Sequence, residues 1–520
     1  MTRAVALSYC LRMILSLITS NFKTNKLVWV VFFLGVFLRV YHLNLEILEP
    51  YNNVSRQSIV ASVARNFYRH GFNFFYPELD ENGGGPSLYN AEMPIHSYLM
   101  AVGYKISGGV KPWAARTVPV AFSLGTLFFL YGLGKHLYGR IGGLAALLFA
   151  ALSPLNLALS RALQPESLMI FATTGVFYFY FLYERTAKRH FHFLSTFCLF
   201  LATASKAYNL YLVLPLAYLF WTQEGPQMFR RPRNYLYAAA AALALLWYLY
   251  AWKVSLSQDL AHYPFKYSQR GPAGMTYLQL LFSWPYLRLC AKIFLVHILT
   301  PVGAIFFFAG FFTPSKKRED VFLWVWFGCV GLLMILLWRI VIEHSYYQLP
   351  FVPVSALFIA KATQSIFSKP GNVQTLLKNR VFLVFMILIE TASLLYFYRG
   401  LYEIPKKRFA ILEAGKAVQK LSNAETLVAA SFETSSIQLY YCDRKGWPFG
   451  ILNEPEDALI VRLEKYRAEG ARLFVATSLE DFEKVPRFRK YLRENYRTLE
   501  ERPGYWILDL GYRGSSRSPS

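Results

Sequence analysis

Residues 44–94 read NLEILEPYNNVSRQSIVASVARNFYRHGFNFFYPELDENGGGPSLYNAEMP, a polar stretch in apolar surroundings. The charge-free run Leu27–Phe37 precedes it, and Val118–Gly134 follows once the insert closes at Pro112. Threading a membrane does not require so long a polar insert after the first apolar run. Amides and carboxylates gathered at a bilayer surface point instead to chemistry or ligand handling.

Outward from the insert, charge-free runs recur at Ile141–Ser160, Ser167–Tyr183, Ala207–Thr222, Tyr235–Trp252, Ile293–Pro314, Val321–Trp338, Tyr346–Ala360 and Val381–Ile389. Several approach the ~20 residues that cross a hydrocarbon core, so the expected fold is a polytopic α-helical membrane protein. The net charge of +24 over 520 residues falls largely in short loops between these runs. That distribution is positive-inside bias and not a nucleic-acid surface, so the bilayer is the expected partner.

The basic clusters Lys23/Lys26, Lys135/Arg140, Arg185/Lys188/Arg189, Arg230/Arg231/Arg233, Lys316/Lys317/Arg318 and Lys369/Lys378/Arg380 can all be placed in the cytoplasm. The chain then has about eleven spans, with Ile95–Gly108 lying in the interface. Asn44–Trp113, Ser160–Glu166, the Ser205-Lys206 junction, Lys253–Leu287, Arg339–Ser345 and everything after Tyr398 fall outside. The first span follows a basic leader without a small-x-small site behind it, as an uncleaved anchor would. The expected organisation is a leader (1–26), a membrane domain (27–400) with its external loop (44–112), an external α/β domain (401–513) and a tail (514–520). In the α/β domain, helices are expected at Phe409–Leu421, Ala458–Gly470 and Leu479–Asn495. Strands are expected at Thr426–Ser431, Ile437–Cys442, Arg472–Thr477 and Gly504–Leu510. The five cysteines (Cys10, Cys198, Cys290, Cys329 and Cys442) form no disulfide framework and read as packing residues.

The polar groups of interest share the external face. Ser160-Arg161 and Pro165-Glu166 occupy a tight turn between spans, where charge at the boundary favours a site over a surface ion pair. Lys206 lies between two apolar runs, as a snorkelling lysine or as a cation for a lipid-linked phosphate. Arg339, Glu343, His344, Tyr346 and Tyr347 form another cluster, half explained by an aromatic belt. Glu92 and His96 are four apart and could share a helix face with His262 or His344 as a third ligand. Two ligands are too few to claim a metal site, so no cofactor is expected to be required, and a divalent metal stays open but unsupported. Gly83-Gly84-Gly85 lacks a following Lys-Ser/Thr and reads as a hinge, not a phosphate loop.

The ordered set Tyr89-Asn90-Ala91-Glu92-Met93-Pro94, Ala114-Ala115-Arg116, Ser160-Arg161-x-x-x-Pro165-Glu166, Lys206 and His344-x-Tyr346-Tyr347-x-Leu349-Pro350 resembles the C-type glycosyltransferase superfamily. The resemblance is to the bacterial branch related to protein O-mannosyltransferases and lipid A aminoarabinose transferases, and it covers residues 27–400 by segment order. Ala64-Arg65-Asn66-Phe67 and Arg444-Lys445-Gly446-Trp447 resemble words of uncharacterised bacterial members. The resemblance implies a polyprenyl-phosphate sugar donor, an external hydroxyl acceptor on a lipid, glycan or protein, and inversion at the anomeric carbon. It also implies a bacterial cytoplasmic (inner) membrane location with the site and terminal domain extracytoplasmic.

Such chemistry needs cations at the departing phosphate, for which Lys206, Arg56 and Arg270 are the candidates. It also needs a carboxylate to take the acceptor proton. The family places an aspartate where this chain has Asn53, and an amide cannot fill that role. Glu49, Asp80 and Glu92 are the alternatives, in that order. Glu92 sits at the family's acidic position before proline, with Met93 where a lysine is often found. Arg161, Glu166, His344, Tyr346 and Tyr347 would shape the site. The rival readings are an inactive paralogue acting as a membrane scaffold and a transporter of lipid-linked sugar. A transporter should bury charges at mid-bilayer and carry internal repeats. Glu390 is one such charge, and no repeat is evident.

Overall fold

The computed structural model describes residues 21–49, 54–89, 91–257, 282–314, 317–368, 380–431, 436–452 and 454–513. Helix α1 (Asn21–Val40) leads into the polar insert, which contributes α2 (Val54–His70) and α3 (Ile95–Ser107). The apolar body follows with α4 (Pro112–Leu152), α5 (Pro154–Leu159), α6 (Glu166–Thr186), α7 (Arg189–Ser205), α8 (Val213–Glu224) and α9 (Pro232–Ser257). It continues through α10 (Trp284–Lys292), α11 (Thr300–Phe312), α12 (Arg318–Leu336), α13 (Trp338–Glu343), α14 (Phe351–Phe367) and α15 (Arg380–Tyr402).

Among the described residues, six helical stretches are long and apolar enough to cross a membrane: 112–152, 232–254, 284–312, 318–336, 345–367 and 384–421. The expected spans α1, α6, α7 and α8 are not among the six; α6 carries Ser167, Thr173, Thr174 and Glu184, and α8 has only 12 residues. The 41 residues of α4 rise about 60 Å, twice the hydrocarbon core. It breaks at Tyr138 and Gly139, where Gly139 takes φ 72°, so two helices meet at the expected Lys135–Arg140 turn. Helix α3 has only 13 residues and stops at Gly108, which is left-handed at φ 69°.

The core of the body runs through Leu127, Leu147, Phe177, Leu199, Trp326 and Phe358. The outer faces expose Trp29, Phe33, Leu249, Phe312 and Leu388, side chains that water would penalise and lipid would cover. One end of the bundle is tied by Tyr138 Oη donating to Asp320 (2.8 Å), Arg318 paired with Glu184 (2.8 Å) and Lys361 near Asp320 (3.7 Å). These belong to the basic turns that the sequence groups on a single face. Among the described residues Cys198, Cys290, Cys329 and Cys442 form no disulfide.

The terminal domain comprises α16 (Phe409–Leu421), β1 (Leu427–Ser431), α17 (Ile437–Cys442), β2 (Gly446–Pro448), α18 (Glu456–Ala468), β3 (Ala471–Thr477), α19 (Pro486–Asn495), β4 (Tyr496–Arg502) and β5 (Tyr505–Arg513). Its sheet order is β2-β1-β3-β5-β4, with β1 parallel to β2 and β3, and β5 antiparallel to β3 and β4. The expected α/β character is present, with two corrections, the first being that Ile437–Cys442 is a helix, not a strand. Ile437, Gln438, Leu439, Tyr441 and Cys442 are all buried, so neither period is visible in the sequence. The expected helix Leu479–Asn495 is interrupted at Val485 before Pro486, as a proline dictates.

Candidate active site

The site is assembled from the ends of helices. Arg56 lies in the first turn of α2, Glu92 just before α3, Glu166 at the first residue of α6, and Lys206 immediately after α7. Tyr346 and Tyr347 sit in a 3₁₀ turn, Ser345–Gln348, ahead of α14. The chain leaves helical geometry at Lys206 (φ −155°, ψ 117°), which turns its side chain back over the helix ends. The Met93 N–H donates to the Ala204 carbonyl (3.1 Å), fixing the Glu92 loop against α7. Gln57 Oε1 accepts from the Leu163 N–H (3.0 Å), fixing α2 against the turn that carries Glu166.

In this frame Arg56 donates to the Glu92 carboxylate and to the Tyr89 hydroxyl. Lys206 Nζ lies 3.2 Å from Glu166 and 3.7 Å from Glu92, so it is shared between two carboxylates. It also stands over the rings of Tyr346 and Tyr347, at 5.7 and 5.8 Å. His344 stacks on Tyr346 (5.1 Å between centroids), and Tyr208 lies against Tyr347 (5.5 Å). Glu166 is fully buried and Glu92 is 4% exposed. Two cations and two carboxylates therefore share one polar enclosure, where low polarity strengthens each charge contact. Burial opposes ionisation of Glu92, but Arg56 and Lys206 outweigh it and hold the carboxyl below its ordinary range. Burial and the same two cations push the His344 imidazole down to about 4.

Two residues here were not singled out in the sequence. Tyr89 lies three positions before Glu92, within the quoted aromatic-proline element, and that spacing is its only signal. Tyr208 two residues after Lys206 carries none beyond its neighbour. His96 is buried, with no hydrogen-bond partner for either ring nitrogen among the described residues. No group of three or more metal-binding side chains occurs among those residues.

Three expected site residues lie elsewhere. Glu49 is fully buried against Arg116 at 2.6 Å, and Arg116 also donates to the Leu45 and Arg161 carbonyls (2.9 and 3.0 Å). Asp80 pairs with Arg65 and accepts from Asn66 (3.0 Å), so both its oxygens are engaged away from Lys206. Arg161 donates to the Arg39 and His42 carbonyls (3.0 Å each), satisfying orphan acceptors at the end of α1. Of Glu49, Asp80, Glu92, Glu166 and Lys206, the structure brings the last three together and sets the first two apart. Each of the displaced carboxylates has a buried arginine of its own. Asn53, Arg270 and His262 lie outside the described residues.

Residues 91–252, which hold Glu92, Glu166 and Lys206, match the family described as dolichyl-phosphate-mannose-protein mannosyltransferase. The chain aligns with ArnT from Cupriavidus metallidurans bound to undecaprenyl phosphate at a TM-score of 0.62 and 12% identity, over 95% of this chain and 99% of that one. It aligns with the oligosaccharyltransferase AglB from Archaeoglobus fulgidus, in complex with an inhibitory peptide and a dolichol-phosphate, at a TM-score of 0.58 and 12% identity. That match covers 94% of this chain and 74% of the archaeal one. No curated protein matches by sequence. The resemblance to the C-type glycosyltransferases is borne out, and the fold is the polytopic helical one they share, with a small sheet-containing C-terminal domain.

Proposed function

We propose that this chain is an inverting glycosyltransferase that moves a sugar from a polyprenyl-phosphate donor to an extracytoplasmic hydroxyl on a lipid, glycan or protein. The observation that carries the reading is Glu92 held between Arg56 and Lys206 at helix ends, in a fold shared with ArnT and AglB. Structures of both those proteins hold a polyprenyl phosphate.

Each residue has a distinct task. Lys206 and Arg56 turn to the donor phosphate and stabilise the charge that develops as it leaves. Arg56 supplies from α2 the second cation that Met93 cannot. Glu166, fully buried beside Lys206, keeps that ammonium charged and aimed. Glu92 takes the proton of the acceptor hydroxyl. The acceptor oxygen then bonds to the anomeric carbon from the face opposite the phosphate, the carbon–oxygen bond to phosphate breaks, and its electron pair leaves on the polyprenyl phosphate. Before the donor binds, Glu92 is a weak base because two cations grip it. As the phosphate draws those cations, the carboxylate regains basicity where it is needed. The stacked Tyr346 and Tyr347 provide apolar faces on which a sugar ring can rest. In this reading the basic turns face the cytoplasm and the chemistry runs on the extracytoplasmic face of a bacterial inner membrane, which the charge bias of the short loops supports.

The test is transfer from a panel of polyprenyl-phosphate sugars, with Glu92→Gln and Lys206→Met beside wild type and with Glu49→Gln as the comparison. Loss of transfer in the first two, with activity per folded molecule kept in the third, supports the assignment. Equal loss in all three removes it.

A further inference from the structure

Three stretches that the transfer chemistry leaves unused meet at one place: Ala64–Phe67 on α2, Asp80–Gly83 in the loop and Asp443–Trp447 in the terminal domain. Arg65 pairs with Asp80 and with Asp443 (2.8 Å), and it donates to the Tyr440 carbonyl (2.8 Å). Arg69 grips the same Asp443 with two bonds, at 2.7 and 2.8 Å. The Gly446 N–H donates to the Asp80 carbonyl, and the Gly83 N–H returns a bond to the Gly446 carbonyl, both at 2.9 Å. Lys445 holds Glu78, and Ser436 donates to Glu81. Glycine is required where these backbones touch. A Cβ on Gly83, at φ +61°, would lie 2.1 Å from the Trp447 ring, and one on Gly446 would lie 1.8 Å from the Val428 carbonyl.

The apolar core agrees. Val60, Ala61 and Ala64 of α2 share one cluster with Ile411, Ile437 and Tyr441 of the terminal domain. Helix α2 is thus clamped at both ends, by Gln57 against Leu163 near the site and by Arg65 and Arg69 against Asp443 far from it. Arg56 and Arg65 are nine residues apart, about 13 Å along a helix that transmits rotation as a rod.

We propose that Asp443 is a positioning residue: the terminal domain, through Asp443, Arg65 and Arg69, sets the rotation of α2 and so the aim of Arg56 in the site. The inference rests on the reading of Arg56 as a donor-phosphate cation. It makes the terminal domain part of the machinery that aligns the donor.

The experiment uses the full chain in lipid nanodiscs as wild type, Asp443→Asn, Asp443→Glu and Arg69→Gln. Two quantities are read: hydrogen exchange of the amides of residues 56–60, and binding of undecaprenyl phosphate. The expected result is exchange at 56–60 at least ~5-fold faster in Asp443→Asn and undecaprenyl phosphate affinity about tenfold weaker. Asp443→Glu should recover part of both, which a merely destabilised domain would not do. If Asp443→Asn does not fold, Arg69→Gln, with a partly exposed side chain, gives the same readouts with smaller shifts. Unchanged exchange at 56–60 in the folded variants overturns the proposal. Failure of wild type to bind undecaprenyl phosphate would instead strike the transferase reading, while the exchange result still decides the latch.

Discussion

Replacing Glu92 by glutamine should separate donor binding from turnover. The amide keeps the shape of the carboxylate but removes its charge and its capacity to take a proton. Lys206 Nζ lies 3.7 Å from Glu92, and a unit charge pair at that distance is worth about 4 kcal/mol at an effective dielectric near 20. Arg56 makes a second contact with the same group. The enclosure holds Arg56, Lys206, Glu92 and Glu166, so it passes from balanced charge to one positive charge in excess. Reorganisation of Lys206 toward Glu166 absorbs most of the freed energy. The net gain for an anionic phosphate should be about 1.4 kcal/mol, or roughly tenfold in affinity. Turnover should fall by about 10²–10⁴, the range supplied by a positioned general base. The assay pairs undecaprenyl phosphate binding with single-turnover transfer in nanodiscs, after thermal unfolding has shown that the variant is folded. Full turnover in Glu92→Gln would refute the role given to the carboxylate. Weakened binding would refute the charge argument, since removing an anion cannot repel a phosphate.

Other outcomes follow from the same geometry. Glu49→Gln leaves Arg116 buried beside an amide and should cost about 3 kcal/mol in stability, by thermal or denaturant unfolding, while turnover per folded molecule stays at the wild-type level. Gly446→Ala forces a methyl group onto the Val428 carbonyl within the β1–β2 ladder and should destabilise by about 1–3 kcal/mol, visible as a lower Tm. Acidification should loosen the loop from the terminal domain. Burial opposes ionisation of Glu78 and Asp443, but Lys445 and His70 at the first, and Arg69 and Arg65 at the second, hold both carboxyls below their ordinary range. A depressed folded pKa gives stability that is complete above the unfolded value near 4 and is lost as pH falls through the folded one. Hydrogen exchange at residues 65–70 should therefore show no loss of protection from pH 7 to 5 once corrected for intrinsic rates, with protection falling below about pH 4. Protection that rises as pH falls below about 4 would contradict the sign.

The apolar runs and their basic turns made the helical membrane body legible, because burial in lipid is written in composition. The site was legible in part for a related reason. Glu166, Lys206, Tyr346 and Tyr347 all sit at the ends of such runs, and charge placement put those ends on one face. Glu49 and Asp80 were misplaced because sequence shows a carboxylate but not its partner. Arg116 lies in α4, far along the chain from Glu49, and Asp80 belongs to a network completed by Asp443 from the far end of the chain. Glu92 ranked below them, since nothing local announces that Arg56 and Lys206 close on it. The helix Ile437–Cys442 escaped because an element buried on all sides has no period to read.

In the proposed mechanism Lys206 and Arg56 hold a polyprenyl-phosphate sugar beside Glu92. The most direct measurement is release of polyprenyl phosphate from a panel of polyprenyl-phosphate sugars by purified wild type and Lys206→Met, each in nanodiscs with a hydroxyl acceptor mixture. Wild type should release polyprenyl phosphate from at least one donor, and the substitution should lower that release at least ~100-fold. Release from no donor, or equal release by both proteins, would contradict this mechanism.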